Sequence, residues 1–408
     1  MNPQVIDPSG DIREVVAQRS GTGELTNKIW FHKTASAVID ADRCVRCGAC
    51  IAACPSQSLT GAEDGLPTLV KMCTGCSRCW DFCPLAGMRP ERLWKLTEGD
   101  DFELNGIGIV NAAYSARSVD PPAGAQDGGV VTSMLERLLV SDEIDGVLVT
   151  RRRGAFESEP YIARTPEELH ASAGSIYDQS LPLVLVDPSV LKSSDRIAVV
   201  GTPCQINGLR ALKEFGVAHR DNAADNVTLT IALFCTRSFD GRKLASLLLD
   251  RGVALARVAT VAVQDASLQC HTANGELLFE APVKEFRDAA LRGCDECADF
   301  TGRLADISVG SLGTEEGFTT VVVRSEAGAR AWGQVTDAVE STDDYDLEPV
   351  RKLERRGRRS ATRKLEREFD PDGPLWITYA EHLLNYTDGD RAPVTPPGFR
   401  SHHYTVSC

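Results

Sequence analysis

The sequence has no excess of basic residues. Its 44 Lys and Arg side chains are outnumbered by 58 Asp and Glu side chains, which gives a formal net charge of −14 at pH 7. A protein that binds nucleic acid along its backbone needs cationic side chains to neutralise the phosphates. We therefore expect no nucleic-acid partner.

The sequence also lacks the apolar segments that membranes and secretion require. It contains no run of 18 uncharged apolar residues, so we expect no transmembrane span. Its start carries Asp7, Asp11 and Glu14 where a secretory signal would have a positively charged end and an apolar core. We expect a cytoplasmic protein.

Several catalytic and nucleotide-binding motifs are missing as well. There is no Ser/His/Asp or H-E-x-x-H grouping, so hydrolysis is not supported, and there is no G-x-G-x-x-G or Walker sequence. With 42% hydrophobic and 25% charged residues, the composition is that of a globular protein. A chain of 408 residues is long enough for several domains.

Cysteine, in contrast, is abundant. Disulfides are rare in a reducing compartment, so the 14 cysteines are left with metal ligation, catalysis or burial as uses. Eight of them form two copies of the pattern C-x2-C-x2-C-x3-C-P, namely Cys44, Cys47, Cys50 and Cys54, then Cys73, Cys76, Cys79 and Cys83. This pattern is typical of bacterial two-cluster ferredoxins, where each cubane takes three cysteines from one run and the fourth from the other.

The pattern therefore predicts two [4Fe–4S] clusters. The first would use Cys44, Cys47, Cys50 and Cys83, and the second Cys73, Cys76, Cys79 and Cys54. Zinc is the alternative, but four-cysteine zinc sites use two separated C-x2-C pairs.

Four later cysteines could converge on a third cluster. Cys204 follows the apolar run 196–200, Cys235 closes the run 227–234, and Cys294 and Cys297 form a C-x2-C pair. Buried thiols or a zinc site are the alternatives. Cys270 is predicted to be a buried thiol, and Cys408 a tail thiol of no assigned role.

The chain divides into four parts by pattern. We expect a lead-in at 1–40 with a short helix at Ile12–Ala17, a two-cluster ferredoxin-like domain at 41–92, an α/β domain at 100–345, and a basic segment with a C-terminal extension at 346–408. The α/β prediction rests on strand-like runs that alternate with helical patterns, which favours a mixed, largely parallel sheet.

The individual elements follow from these patterns. We predict strands at 106–114, 146–150, 196–200, 227–234, 258–264, 268–271, 276–279, 306–310 and 318–324, and helices at 129–140, 165–171, 205–215 and 241–251. Asn274-Gly275 is a strong hairpin signal. The basic run Arg351–Arg367 is interpreted as a solvated helix face, with an interaction patch as the alternative.

A glycine-rich segment is the candidate phosphate site. Residues Gly124 to Thr132 lead into a predicted helix, and glycines at a helix start let backbone N–H groups approach an anion. A structural turn is the alternative interpretation.

Several motifs resemble, in the expected order, those of the family of coenzyme F420 hydrogenase/dehydrogenase beta subunits. They are Gly128-Gly129-Val130-Val131-Thr132, Ile144-Asp145-Gly146, Gly201-Thr202-Pro203-Cys204-Gln205, Leu233-Phe234-Cys235, Cys294-Asp295-Glu296-Cys297-Ala298-Asp299-Phe300 and Leu304-Ala305-Asp306-Ile307-Ser308-Val309-Gly310. The resemblance spans residues 100–345. It implies an FAD-containing α/β domain that exchanges hydride with coenzyme F420, a deazaflavin. It also implies a further [4Fe–4S] cluster on Cys204, Cys235, Cys294 and Cys297. The ferredoxin module in front is similar to that in the electron-input subunit of F420H2 dehydrogenases.

The resemblance also suggests the FAD contacts. Gly128, Gly129 and Thr132 are expected near the FAD phosphates, with Ser175, Tyr177 and Thr319 as lining residues; a core aromatic is the alternative for Tyr177. The family often has Gly-Ser-Lys-Tyr where this chain has Ile176 in the Lys position. If that cation is needed, candidates to replace it are Arg117, Lys284 and Arg324.

These features together predict an iron–sulfur flavoprotein oxidoreductase. Reduced coenzyme F420 would give a hydride to FAD, and three [4Fe–4S] clusters would carry the electrons singly to a protein acceptor, without a catalytic side chain. One alternative is a ferredoxin-dependent reductase of an organic substrate, like pigment-reducing relatives, and another is a non-catalytic electron-transfer subunit. Expected partners are a ferredoxin, a hydrogenase, a quinone-reducing complex or a reductase subunit, in a homo- or hetero-oligomer that is cytoplasmic or docked peripherally to a membrane complex.

Overall fold

The computed structural model describes residues 28–216 and 222–385. The short helix predicted at Ile12–Ala17 and the tail residue Cys408 lie outside the described residues. The helices are α1 (Phe31–Thr34), α2 (Ala49–Ala52), α3 (Arg78–Asp81), α4 (Pro90–Glu98), α5 (Val130–Val140), α6 (Pro166–His170), α7 (Pro203–Phe215), α8 (Gly241–Asp250), α9 (Glu326–Gly333), α10 (Glu348–Leu365) and α11 (Tyr379–Asn385).

The strands form three sheets. They are β1 (Leu59–Gly61), β2 (Pro67–Leu69), β3 (Ala112–Ser118), β4 (Gly146–Gly154), β5 (Glu157–Ala163), β6 (Ile197–Gly201), β7 (Val227–Leu233), β8 (Thr260–Gln264), β9 (Ser267–His271), β10 (Leu277–Pro282), β11 (Ile307–Gly310), β12 (Thr319–Val323) and β13 (Val339–Thr342). β1 and β2 form a hairpin, β8 to β10 form a small sheet, and the other eight strands form one large sheet.

The cysteine-rich module is built from two similar turns. A left-handed residue begins the short helix of each cysteine run, Gly48 (φ +87°) before α2 and Ser77 (φ +66°) before α3. Gly48 is required by its surroundings too, because a Cβ there would lie 2.8 Å from the carbonyl oxygen of Leu181. The two runs therefore fold alike, as their shared pattern predicts.

The large sheet has the strand order β13-β3-β12-β11-β7-β6-β4-β5. Its four central strands β11, β7, β6 and β4 are parallel neighbours, and the strands on both flanks pair antiparallel. The predicted mixed α/β sheet is confirmed. Because β6 and β7 run in the same direction, the segments that follow them, including Cys204 and Cys235, leave the sheet at one edge.

The small sheet contains the predicted hairpin. β9 and β10 pair antiparallel around Asn274-Gly275, where Gly275 has a φ of +82°. A second turn at Asp265 and Ala266, both with positive φ, joins β8 to β9. Cys270 is fully buried in this sheet, as predicted.

Several elements differ from the expectation; among them are the helices α4, α9 and α11 and the hairpin β1–β2, which were not predicted. The strand predicted at 106–114 begins only at Ala112. Gly108 has a φ of +85°, and the Arg324 guanidinium donates hydrogen bonds to the carbonyl oxygens of Ile107 and Ile109, so these groups do not pair with a neighbouring strand. β5 and β13 were not predicted. Both are edge strands, where a residue such as Pro160 is tolerated.

The cysteine-rich module and the large sheet share a core. Trp80 and Leu93 of the module pack in one hydrophobic cluster with Ile206 and Leu212 of α7. The basic segment forms α10, in which Glu354 and Arg358 are buried, so the predicted solvated face is only part of that helix. None of the helices in the described parts of the chain has the length and apolar character of a membrane span.

Candidate iron–sulfur and cofactor sites

The second predicted cysteine set lines one small cavity in the ferredoxin module. We call Cys54, Cys73, Cys76 and Cys79 site two; all four line this cavity together with Ile29 and Phe31. Backbone N–H groups donate to two of the sulfurs, from Ser58 to Cys54 (3.3 Å) and from Gly75 to Cys73 (3.4 Å). Such N–H···S bonds are among the contacts that tune a cluster's potential.

The first predicted set is also assembled. We call Cys44, Cys47, Cys50 and Cys83 site one. Burial raises the pKa of Cys47, and the neighbouring thiols of Cys83 and Cys44 raise it further. Burial likewise raises the pKa of Cys83 to about 12, with Cys44 adding to the shift. The N–H of Arg46 donates to Cys44 Sγ at 3.4 Å.

The four later cysteines converge as well. We call Cys204, Cys235, Cys294 and Cys297 site three; all four line one cavity. Cys204 lies in the first turn of α7, whose start is fixed by reciprocal hydrogen bonds between Thr202 and Gln205. The Thr202 hydroxyl lies 3.2 Å from Cys204 Sγ. Burial raises the pKa of Cys235, and Cys294 and Cys204 raise it further.

The three sites fit iron–sulfur clusters in their donor chemistry. Burial raises the pKa values of all four thiols in sites one and three and of Cys76 and Cys79 in site two, so bare thiolates are disfavoured there, and a cationic iron core would offset that cost. Among the described residues, no three His, Cys, Asp or Glu side chains are grouped closely enough to bind a single metal ion. A cubane instead binds one thiolate at each of four separate irons, so its ligands stand farther apart.

The sites lie in series. Cys47 of site one is, after burial, the main cause that raises the pKa of Cys204 in site three. Cys79 of site two also raises the pKa values of Cys50 and Cys83 in site one. Site one therefore lies between the other two, and Cys76 of site two is the exposed cysteine among those described.

A large cavity opens beside site three. It has a volume of about 480 Å³ and is lined by the start of α5 and by the ends of β6 and β7. Gln179, Cys235, Thr236 and Ser238 line both this cavity and site three. A molecule in the cavity would therefore lie directly against the third cysteine set.

Five of the six predicted FAD contacts line the large cavity. They are Gly129, Thr132, Ser175, Tyr177 and Thr319. Gly128 lies behind the wall instead: its N–H donates to Thr319 Oγ1 at 3.2 Å, and a Cβ there would be 2.6 Å from Ala116 O. The close approach to Ala116 accounts for a glycine at this position.

The start of α5 suits an anion. Gly129 precedes the helix with a φ of +67°, and no side chain caps the helix start. The first N–H groups and the positive end of the helix dipole are therefore available where Gly129 to Thr132 line the cavity. This arrangement can hold a diphosphate.

Tyr177 both lines the large cavity and packs as a core aromatic, the two alternatives that the sequence left open. It lines the large cavity, yet its hydroxyl accepts the Val263 N–H at 3.1 Å and its ring packs edge-on to Phe239. Burial raises the pKa of its hydroxyl. The preceding loop is held by Arg152, which donates to the carbonyl oxygens of Ala173 and Ser175.

None of the three proposed substitutes for the family lysine lines the large cavity. Arg324 is buried and donates to Ser308 Oγ, Arg117 pairs with Glu340 on an exposed edge, and Lys284 is not a lining residue. Among the described lining residues, Arg237 is the cation, and its guanidinium lies 2.8 Å from Asp295.

Sequence reasoning missed two residues that join the large cavity to site three. Gln179 Nε2 donates to Ser238 Oγ at 2.8 Å, and Ser238 Oγ lies 3.9 Å from Cys235 Sγ. The position of Ser238 shortly after Cys235 was a usable signal. Gln179 carries no motif of its own and is recognised only from the fold.

Models of known protein families match both the cysteine-rich module and the α/β part of the chain. The family model of the coenzyme F420 hydrogenase/dehydrogenase beta subunit matches its N-terminal part at residues 113–186 and its C-terminal part at 194–346. A 4Fe-4S dicluster domain model matches residues 37–88.

Individual relatives are similar over most of the chain. One subunit of the F(420)H(2) dehydrogenase of Methanosarcina mazei is 30% identical over 357 residues, which is 81% of this chain and 95% of that protein. The coenzyme F420-dependent sulfite reductase of Methanocaldococcus jannaschii is 30% identical over 78% of this chain and 49% of its own length. A chain of the F420-reducing [NiFe] hydrogenase complex of Methanosarcina barkeri superimposes with a TM-score of 0.60 at 26% identity, covering 65% of this chain and 94% of that chain.

Proposed function

This chain belongs to the family of coenzyme F420 hydrogenase/dehydrogenase beta subunits, and from that premise we propose that it oxidises reduced coenzyme F420 through bound FAD and three [4Fe–4S] clusters. The electrons would leave singly to an acceptor protein. The relatives named for coenzyme F420 support the donor, and the dicluster match supports sites one and two.

One observation carries the proposal. The large cavity and site three share Gln179, Cys235, Thr236 and Ser238, so a flavin in the cavity would adjoin the first cluster of the series. A bound flavin supplies the chemistry of accepting a hydride and releasing its two electrons one at a time, as iron–sulfur clusters require.

The chain's own residues would bind and orient rather than react. The start of α5 holds the diphosphate, and Arg152 fixes the Ser175–Tyr177 loop that lines the large cavity. Arg237 is placed to attract the anionic donor. N–H groups of Arg46, Ser58 and Gly75 bind cysteine sulfurs in sites one and two.

The test uses the holoprotein purified without oxygen. We expect about twelve irons, matching acid-labile sulfide and one FAD per chain, since each cubane holds four irons. Reduced coenzyme F420 should be oxidised when methyl viologen is the acceptor. Activity with reduced ferredoxin but not with reduced coenzyme F420 would contradict the proposal and favour a ferredoxin-driven reductase, and clusters without flavin would favour a non-catalytic subunit.

A matched pair of variants tests the cavity. Thr132→Glu places a carboxylate at the start of α5 and should lower FAD content and activity at least tenfold by repelling the diphosphate. Thr362→Glu makes the same change on α10, away from the large cavity, and should leave both unchanged. Equal FAD content in the two variants would contradict this placement.

A further inference from the structure

Two apolar side chains are exposed beside site two. Met72 is 83% exposed and Trp30 is 40% exposed. Both lie next to the exposed Cys76: Met72 is in the same loop, and Trp30 packs so closely on Gly75 that a Cβ there would be 2.8 Å from its ring. The Ile29 N–H donates to Ser77 Oγ at 2.9 Å, which ties the Trp30 segment to this loop.

The same surface is basic on an acidic chain. Segments 28–39 and 65–80, which supply most of the lining of site two, contain Lys28, Lys33, Lys71 and Arg78 but no Asp or Glu. Lys28 and Lys71 are exposed, whereas Arg78 is buried. With a net charge of −14 for the whole chain, this local sign is opposite to the overall one.

We propose that Lys28, Trp30, Lys71, Met72 and Cys76 form a docking surface for an acidic one-electron carrier protein. The proposal rests on the proposed function and adds the place and the chemistry of the electron exit. Each encounter oxidises the cluster of site two by one electron and reduces one carrier. Oxidation of one reduced coenzyme F420 gives two electrons and two protons, so two carriers are reduced.

The observations favour a protein over a lipid surface. Lipid recognition uses clusters of four to eight cations, whereas this surface exposes two lysines. A small apolar patch with a cationic rim matches the small interfaces of transient electron-transfer complexes. The opposite charge of an acidic carrier would also accelerate its encounter with this surface.

The experiment measures electron transfer from the holoprotein to three acceptors. These are an acidic ferredoxin, the basic cytochrome c and methyl viologen, each at low and high ionic strength. Lys71→Glu and Met72→Glu should lower kcat/KM for the ferredoxin about tenfold at low salt. The Lys71→Glu loss should shrink at high salt, because salt screens surface charges.

Matched controls make the same changes elsewhere. Lys192→Glu is at an exposed lysine and Val140→Glu at a 64% exposed apolar residue, and neither residue lines site two. Both should keep the unmodified rate with ferredoxin. All four variants should keep full iron content and reduce methyl viologen normally, and Lys71→Glu should reduce cytochrome c faster.

Two outcomes would overturn the docking surface. One is an unchanged ferredoxin rate in both Lys71→Glu and Met72→Glu. The other is that these variants no longer bind phosphatidylglycerol vesicles but still reduce ferredoxin at the unmodified rate, which would assign the surface to lipid. In stopped-flow runs, the protein is first reduced with dithionite and desalted, so that coenzyme F420 is not needed as the electron source. A protein that does not oxidise reduced coenzyme F420 can therefore still be tested for electron transfer to ferredoxin.

Discussion

At the scale of single residues, the cysteines are distinguished by their neighbours. Burial alone raises the pKa of Cys270 to about 11. Cys235 is only half-buried; burial of its sulfur raises its pKa too, and the thiols of Cys294 and Cys204 add to the rise. A cysteine can serve as a cluster ligand only where other cysteines lie close enough to bind the same cluster.

We predict opposite effects for two cysteine substitutions. Cys235→Ser should remove the cluster of site three, lowering iron by about four per chain, because a cubane holds four irons. Cys270→Ser should keep all iron, since Cys270 packs in the small sheet. Iron and sulfide analysis of oxygen-free samples checks this, and equal losses in the two variants would refute the assignment.

A second residue-scale prediction concerns Gly128. Gly128→Ala would push a methyl group against Ala116 O, so we expect a loss of about 1–3 kcal/mol in stability and a lower FAD content. Gly357→Ala, in open space on α10, should stabilise by about 1 kcal/mol. Thermal unfolding and released flavin measure both; a Gly128→Ala protein as stable as Gly357→Ala would contradict the packing argument.

Sequence could specify single residues only where a local pattern exists. The spacing of the cysteines marked the first two sets, because a cubane imposes short, regular spacing, whereas the third set, which extends from Cys204 to Cys297, was complete only through the family resemblance. Gln179 escaped notice, since its contacts with Ser238 and Gln205 join segments that are distant in the chain. Arg324 was misleading for the same reason: only the fold shows that its guanidinium is buried in the core.

At the scale of elements, a buried ion pair joins two cysteine loops. Arg43 precedes Cys44 and Glu296 precedes Cys297; their side chains are fully buried, with 2.6 Å between Nη2 and Oε2. Arg43 Nη2 also donates to Leu85 O at 2.9 Å. The pair thus fixes site one against site three.

Removing one charge of this pair should be costly. Glu296→Gln keeps the size but leaves the Arg43 charge without its carboxylate, so we expect a loss of about 3–5 kcal/mol and slower electron passage between the two sites. Glu340→Gln breaks the half-exposed pair with Arg117 and should cost less than about 1 kcal/mol. Thermal unfolding and stopped-flow cluster reduction compare them, and similar costs would argue against the joining role.

Helix α10 introduces a pH dependence. Glu354 accepts the N–H groups of Phe300 and Thr301 beside site three and pairs with Arg358 at 2.8 Å. Burial, with the Asp299 charge adding to it, raises the pKa of Glu354 from 4.5 to about 7.

The sign follows from proton binding. The folded protein holds this proton more tightly than the unfolded chain, so the contribution of Glu354 to stability is greatest below about pH 4.5 and falls until about pH 7, by at most ~3 kcal/mol. Glu354→Gln should flatten this slope in apparent unfolding temperatures between pH 5 and pH 8. The same slope in the variant would exclude Glu354 as its origin.

Element boundaries were predictable where hydrophobic runs end in turns, as at the Asn274-Gly275 hairpin. They were not predictable where tertiary bonds replace the sheet ladder. The carbonyl groups of Ile107 and Ile109 bind Arg324 instead of a neighbouring strand, so β3 starts late. α10 was interpreted from its charges, but its buried pair Glu354–Arg358 depends on contacts with residues far away in the chain.

At the scale of the whole molecule, the cysteine sites form a single series from the large cavity to the surface. Site three adjoins the cavity, site one follows, and site two ends at the exposed Cys76. This order assigns separable tasks to the two ends.

The series predicts a split between half-reactions. Cys76→Ser should impair the cluster of site two and lower the rate of ferredoxin reduction at least tenfold, because the exit is lost. Reduction of the flavin and of site three by reduced coenzyme F420 should continue, as seen by stopped-flow absorbance. Loss of both half-reactions together, with iron at sites one and three intact, would contradict the series.

The separation of the two ends also bears on turnover. Within the described parts of the chain, no residue lines both the large cavity and the cavity of site two. Donor and acceptor can therefore occupy the molecule at the same time, and neither has to depart before the other arrives. Steady-state kinetics should show that an inert analogue of one substrate does not compete with the other. Binding of the electron donor and reduction of the acceptor could therefore be regulated independently.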